Sequence, residues 1–297
     1  DEGTSCGRTA EGALYCWGDL SAYGVSELAP YATLMDELDY LMKGGCRLEP
    51  EGVVSCIGLN SHGQLGQGED GDFPGNVTTP ALVEGVIASD VALDSIANQM
   101  CFIDALDAPG EVRCIGKSLG LGNGGDDTPQ VVANALPIID SDLEPILAVE
   151  IEAGYLHYCA ILESGEVVCW GQLNVSAVGN SKAQTTNYNT NALPVTLLGS
   201  DETLQDATAL SAGSEWTCAI AGEDQQVMCW GTNYAISQGI ITEAGVGAQP
   251  IPTTDADMPF LKGALKVSVT QAPSPSTGGN ANESHACAVI GAVDAAS

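Results

Sequence analysis

The chain has 297 residues, long enough for a sizeable core in one large all-β domain or two smaller ones. Its 39 acidic side chains against 8 basic ones give a formal net charge of −31, which repels phosphate backbones and anionic headgroups and argues against nucleic acid as a partner. The longest apolar stretches, such as Pro145–Val149, fall far short of the ~18 residues that cross a bilayer, so no membrane insertion is expected.

The N-terminal run Asp1-Glu2-Gly3-Thr4-Ser5-Cys6 lacks a basic region followed by an apolar one, so any signal peptide is expected to have been removed or to lie outside this sequence. Eleven cysteines, none in a Cys-x-x-Cys pair of the zinc or thioredoxin type, point to disulfides and hence to a secreted or extracellular-surface location. The tripeptides beginning at Asn76, Asn174 and Asn282 match the acceptor for N-glycosylation and fit the same route, although such matches arise often by chance.

In chain order, the cysteines fall as Cys6…Cys16, Cys46…Cys56, Cys101…Cys114, Cys159…Cys169 and Cys218…Cys229, followed by Cys287 alone. The first members are 40 to 69 residues apart, the period of a propeller or solenoid in which each unit buries its face on the next. Within the fourth unit, two β-prone runs flank Glu163-Ser164-Gly165. A three-residue loop with Gly165 left-handed sets Leu162 opposite Glu166, Ile161 opposite Val167 and Cys159 opposite Cys169.

The same count through Gly12 opposes Cys6 and Cys16, and through Pro50-Glu51-Gly52 it opposes Cys46 and Cys56. In the third unit Gly110 keeps its offset from Cys114 while the loop is three residues longer. The fifth unit has Gln225 at the glycine position and one extra residue, which weakens the register argument there. Directly opposed antiparallel residues lie ~4.5–5.5 Å apart, so five bridges inside hairpins are expected.

After each second cysteine comes an apolar residue and a glycine: Trp17-Gly18, Ile57-Gly58, Ile115-Gly116, Trp170-Gly171 and Trp230-Gly231. The tryptophans and isoleucines are expected to be core anchors at equivalent places, because an apolar core position accepts either residue and a sugar-stacking platform would not. The glycine reads as a tight strand exit. Downstream, Asn60 to Gly68 contains Gly63-Gln64-Leu65-Gly66, echoed at Leu119-Gly120-Leu121-Gly122. Upstream, Ala153-Gly154 and Ala212-Gly213 precede His157 and Trp216, two residues before Cys159 and Cys218.

In this order of cysteines, hairpin glycine, Trp-Gly and Gly-Gln-Leu-Gly, nearly the whole chain resembles the RCC1 repeat family. That resemblance implies an all-β propeller of four-stranded blades, commonly seven, here with five full repeats and a partial sixth in a single domain over 1–297 that is incomplete at its C-terminal end. The stretches Val86–Met100, Ile138–Ile151 and Ala272–Ser284 read as connections longer than the usual repeat.

Signals for chemistry are sparse. Only His62, His157 and His285 are available as bases, and His157 and His285 share one repeat position, which points to hydrogen bonding inside the blade. No catalytic, cofactor-binding or metal-ligating residue is assigned. Acidic runs at Glu69–Asp72, Asp126-Asp127 and Asp255–Asp257 offer oxygen ligands for loop Ca²⁺, but none completes an EF-hand and a solvated face is the stronger expectation. Arg113 and Lys117 are scattered and form no anion site.

The expected function is a non-catalytic extracellular structural or adhesive scaffold, such as a subunit of a surface filament or matrix, whose partners are proteins or copies of itself. A soluble protein-binding or inhibitory propeller is the alternative, and a propeller-based lyase or glycosidase ranks third because it needs convergent carboxylates. Intracellular exchange-factor activity is disfavoured, since disulfides do not persist there and an acidic surface does not hold chromatin. Cys287 stands in a half-hairpin, His285-Ala286-Cys287-Ala288, and is expected to be unpaired within these units or bonded intermolecularly, with the missing strand supplied either by chain beyond Ser297 or by a neighbouring subunit.

Overall fold

The computed structural model describes residues 4–8, 14–19, 28–34, 45–68, 75–94, 99–116, 135, 137–155, 157–172, 178–180, 188–213, 216–231, 249–250, 263–269 and 286–290; for several of these, including all before 45, only the backbone is described. Strand dominates. The first sheet holds β1 (Thr4–Arg8), β2 (Leu14–Asp19) and β3 (Leu28–Leu34) in that order. A second runs β4 (Cys46–Leu48), β5 (Val53–Leu59), β6 (Asn76–Asp94), β7 (Gln99–Asp104) and β8 (Val112–Gly116).

The fourth unit is a complete antiparallel blade, ordered from the inside β9 (Ala148–Ala153), β10 (His157–Leu162), β11 (Val167–Gln172), β12 (Tyr188–Pro194). The fifth repeats it with β13 (Ala209–Ala212), β14 (Trp216–Ala221), β15 (Gln226–Gly231) and β16 (Gln249–Pro250). The sixth shows β17 (Ala264–Val269) and β18 (Ala286–Ile290). The strands β6, β9, β13 and β17 neighbour one another in turn, so the blades are arrayed through their inner strands as in an RCC1-like β-propeller.

The nineteen-residue β6 is shared. Its first half pairs with β5 as an outer strand, and its second half pairs with β7 as the inner strand of the next blade. This corrects the expectation that Val86–Met100 and Ile138–Ile151 are long extra connections. Residues 88–94 and 148–151 are inner strands of the blades themselves, and 138–147 is a short hairpin. The inner strand lacked a cysteine or glycine landmark, so it read as loop. Ala272–Ser284 lies outside the described residues.

Every hairpin carries the register that loop counting predicts. Cys6 opposes Cys16, Cys46 opposes Cys56, Cys101 opposes Cys114, Cys159 opposes Cys169 and Cys218 opposes Cys229. In the fifth unit the extra residue is absorbed by a four-residue turn, Gly222 to Gln225, in which Gln225 itself takes a left-handed backbone (φ 47°). The glycine of Cys-(Trp/Ile)-Gly ends its strand in β8 and β15, at Gly116 and Gly231, but in β2, β5 and β11 the strand runs on beyond it. Gly58, Gly116, Gly171 and Gly231 have φ between 102° and 124°, and β5 and β11 continue past a bulge at this point.

Candidate functional site

Strand alternation divides each hairpin into two faces, and each face meets a different blade. Cys159 and Cys169 cluster with Leu210, Ala219 and Trp230 of the fifth blade, whereas Trp170 points the other way and packs with Cys101 and Cys114 of the third. Cys46 and Cys56 likewise sit with Ile115 and Met100. In these three seams the disulfide of one blade meets the indole, or its isoleucine substitute, of a neighbouring blade. Trp170, Trp230 and Ile115 are completely buried. Ile57 is only partly so, and the side chain of Trp17 lies outside the described residues.

Four bridges close within hairpins, Cys46–Cys56, Cys101–Cys114, Cys159–Cys169 and Cys218–Cys229, with Cα separations of 4.0–4.1 Å. The Cys6 and Cys16 side chains lie outside the described residues. The backbone of Cys287 opposes Ser268 on β17, the place that Cys159 takes against Glu152 and Cys218 against Ser211.

Polar contacts across the seams repeat as well. The position two before the first cysteine meets the position one before it in the next blade. The Tyr158 hydroxyl donates to the Gln99 carbonyl oxygen (2.9 Å), and His157 Nε2 is hydrogen-bonded to the Thr217 hydroxyl (2.8 Å). His157 thus bonds between blades, not inside one as the sequence suggested. Deeper along the seam, carboxylates on one inner strand accept amides of the next: Asp90 from Ile151 N–H (3.0 Å) and Glu150 from Leu210 N–H (2.8 Å). Glu150 showed no sequence signal for this role.

His157 is fully buried, and desolvation lowers its pKa from 6.5 to about 4, so the ring is neutral at physiological pH. It packs on Gly154, where a Cβ would overlap Cε1 and Nδ1 and lie 2.5 Å from the Gly213 carbonyl oxygen. A residue walled in this way meets no substrate. His62 is an intermediate-exposure turn residue whose N–H donates to Gln64 Oε1 within the Gly-Gln-Leu-Gly turn, which Asn60 closes by accepting from Leu65 N–H (2.8 Å). His285, Asn174, Asn282, Lys117 and the acidic runs at 69–72, 126–127 and 255–257 lie outside the described residues, as does the side chain of Asn76. Among the described residues no group of three or more His, Cys, Asp or Glu could hold a metal ion, and no helix is long and apolar enough to cross a membrane.

The accessible surface that the fold organises is the edge carrying the tight hairpins. Antiparallel order puts the β4–β5, β7–β8, β10–β11 and β14–β15 turns on one edge, together with the short hairpins at 139–145 and 196–203 that lead into the next inner strand. Main-chain bonds weld these pieces into a continuous rim. Val112 N–H donates to Ile146, Ala148 to Gly110, Glu163 to Leu147, Ala207 to Gly165 and Gly222 to Gln205. Leu106, Leu143 and Leu198 stand on it 60%, 68% and 47% exposed. Beside them a pocket of about 330 Å³ has Leu197, Leu204 and Met228 in its lining and Asp206, Glu223 and Asp224 at its lip.

Serial four-stranded blades whose seams repeat one disulfide, one large anchor and one polar pair define a β-propeller built from sequence repeats. Residues 148–176 match the model of the Regulator of chromosome condensation (RCC1) repeat, and the chain has an RCC1-like β-propeller fold. Prp20p from Saccharomyces cerevisiae, solved together with its binding properties to Gsp1p and histones, superposes with a TM-score of 0.57 at 17% identity over 90% of this chain and 64% of that one. The same yeast protein with Kap60 bound gives 0.55 at 16%, over 91% and 65%. Human WBSCR16 gives 0.59 at 15%, over 90% and 69%. The chain spans slightly less than two thirds of the yeast protein. At these identities the likeness concerns the fold.

Proposed function

We propose that this chain is a non-catalytic extracellular scaffold that works by binding protein, either other partners or further copies of itself. The observation that carries the reading is the use of its distinctive side chains in the seams. Disulfide, tryptophan and His157 are consumed by blade-to-blade packing, which leaves the welded rim as the surface on offer. Disulfides at the described seams suit an oxidising compartment, where they persist without maintenance. The yeast propeller's association with Gsp1p, histones and Kap60 supports protein binding as the use of such a fold. Self-assembly into a filament or matrix is the structural form of this function; a discrete binding or inhibitory module is the other.

Fractionation of the source cells with thiol labelling tests the compartment. Recovery outside the cell with the cysteines bonded is expected, and a cytosolic protein with free thiols overturns the reading. Crosslinking of the intact, unreduced chain then identifies what it touches. Proteins or its own copies are expected. A lyase or hydrolase activity abolished by replacing one carboxylate would overturn the non-catalytic assignment.

A further inference from the structure

Building on the protein-binding reading above, we propose that the hairpin rim docks a protein segment presenting lysine or arginine beside leucine-sized apolar side chains. The first support is Leu143. It occupies a left-handed turn position (φ 67°), which favours glycine or asparagine, and it is 68% exposed. Local backbone preference and solvation both disfavour leucine there, and a locally costly residue on a rigid tip suits a contact made to another molecule. Leu106 and Leu198 repeat the exposure on neighbouring tips, so the apolar points are spaced along one rim.

Among the described residues, the exposed charge between these leucines is acidic. Asp107, Asp142, Glu144, Asp201 and Glu202 are exposed between them. Arg47 and Arg113, the arginines described near this edge, are held by Glu49 (3.4 Å) and by Glu111 (2.8 Å), so neither offsets the field. Anionic peptides and anionic membranes are repelled by such a rim, and a purely apolar partner would strip water from carboxylates without replacing it. A cationic segment meets both requirements. The 330 Å³ pocket fits this chemistry in miniature: Leu197, Leu204 and Met228 can line an alkyl stem while Asp206, Glu223 and Asp224 receive its charged head. The fixed main-chain bonds of the rim mean that little conformational freedom is lost on docking.

The test uses the intact chain and three synthetic peptides of one length: alternating Lys and Leu, the same with Ser for Leu, and the same with Glu for Lys. Fluorescence anisotropy gives affinity, and hydrogen exchange gives the footprint. The Lys/Leu peptide is expected to bind and to protect amides at 104–111, 139–147, 197–207 and 222–226. Its affinity should fall on the order of tenfold in Leu143→Ser/Leu198→Ser and again in Asp206→Asn/Glu223→Gln/Asp224→Asn, while Leu82→Ser, an exposed leucine away from the rim, leaves it unchanged. Absence of binding, equal binding of the Lys/Ser peptide, or affinity indifferent to both rim variants overturns the proposal. Protection confined to other segments of the wild type overturns the rim assignment even if a variant fails to fold. In each of these cases the broader protein-binding reading is judged separately, by the crosslinking described above.

Discussion

His157 and Thr217, sixty residues apart in sequence, are joined by a 2.8 Å hydrogen bond that closes the seam between the fourth and fifth blades. The ring lies on Gly154 with no room for a side chain between them, so the bond, the glycine and the burial form one arrangement. Its titration has a definite sign. The pKa is about 4 in the folded chain and 6.5 for an unperturbed histidine, so the unfolded chain takes up the proton first. The neutral ring's contribution is complete above pH 6.5 and is lost as pH falls toward 4.

Wild type should therefore lose about 3 kcal/mol more than His157→Gln between pH 7 and pH 4, a difference that cancels the titration of carboxylates common to both proteins. Urea midpoints measured at several pH values check this. Parallel curves for the two proteins would show that His157 does not titrate as its burial requires.

Replacing Gly154 with alanine places a methyl group against the imidazole and the Gly213 carbonyl oxygen, neither of which has slack. A loss of about 1–3 kcal/mol is expected. Thermal melting reads it, and an unchanged midpoint would mean that the seam is looser than the geometry states.

Removing an indole from a seam should cost more than removing its isoleucine substitute. Trp170→Ala and Trp230→Ala are each expected to destabilise by about 3–5 kcal/mol and Ile115→Ala by about 2–5. Ile57→Ala should cost less, because that side chain is only partly buried. Chemical denaturation of the four variants orders them, and a larger effect at Ile57 than at Trp170 would contradict the seam assignment.

Each hairpin bridge closes a loop of about ten to fourteen residues, worth about 3 kcal/mol or somewhat less through chain entropy. Cys159→Ala/Cys169→Ala should lose roughly that amount. Non-reducing peptide mapping is expected to recover all five hairpin pairs, Cys6–Cys16 included because its backbone register matches the other four. Links between different units would refute the pairing.

Cys287 holds on β18 the register that the bonded first cysteines hold in other blades, and among the described residues β18 pairs with β17 alone. The same mapping is expected to recover Cys287 joined to a cysteine outside the ten. Quantitative alkylation of Cys287 in unreduced, monomeric protein would count against that bond.

Local chemistry made the hairpins legible. A turn of known length and a side-chain period of two determine which residues oppose one another, so Cys159 and Cys169 could be paired by counting from Gly165. The fifth hairpin kept its cysteine register because Gln225 accepts the left-handed turn that glycine usually takes. Counting does not say what lies beyond a face. That Trp170 meets the bridge of the third blade, that Glu150 accepts an amide of the fifth, and that 88–94 forms an inner strand follow from sheets stacking on sheets. Those contacts bring together residues some sixty positions apart, and only the packed tertiary structure decides which of them meet.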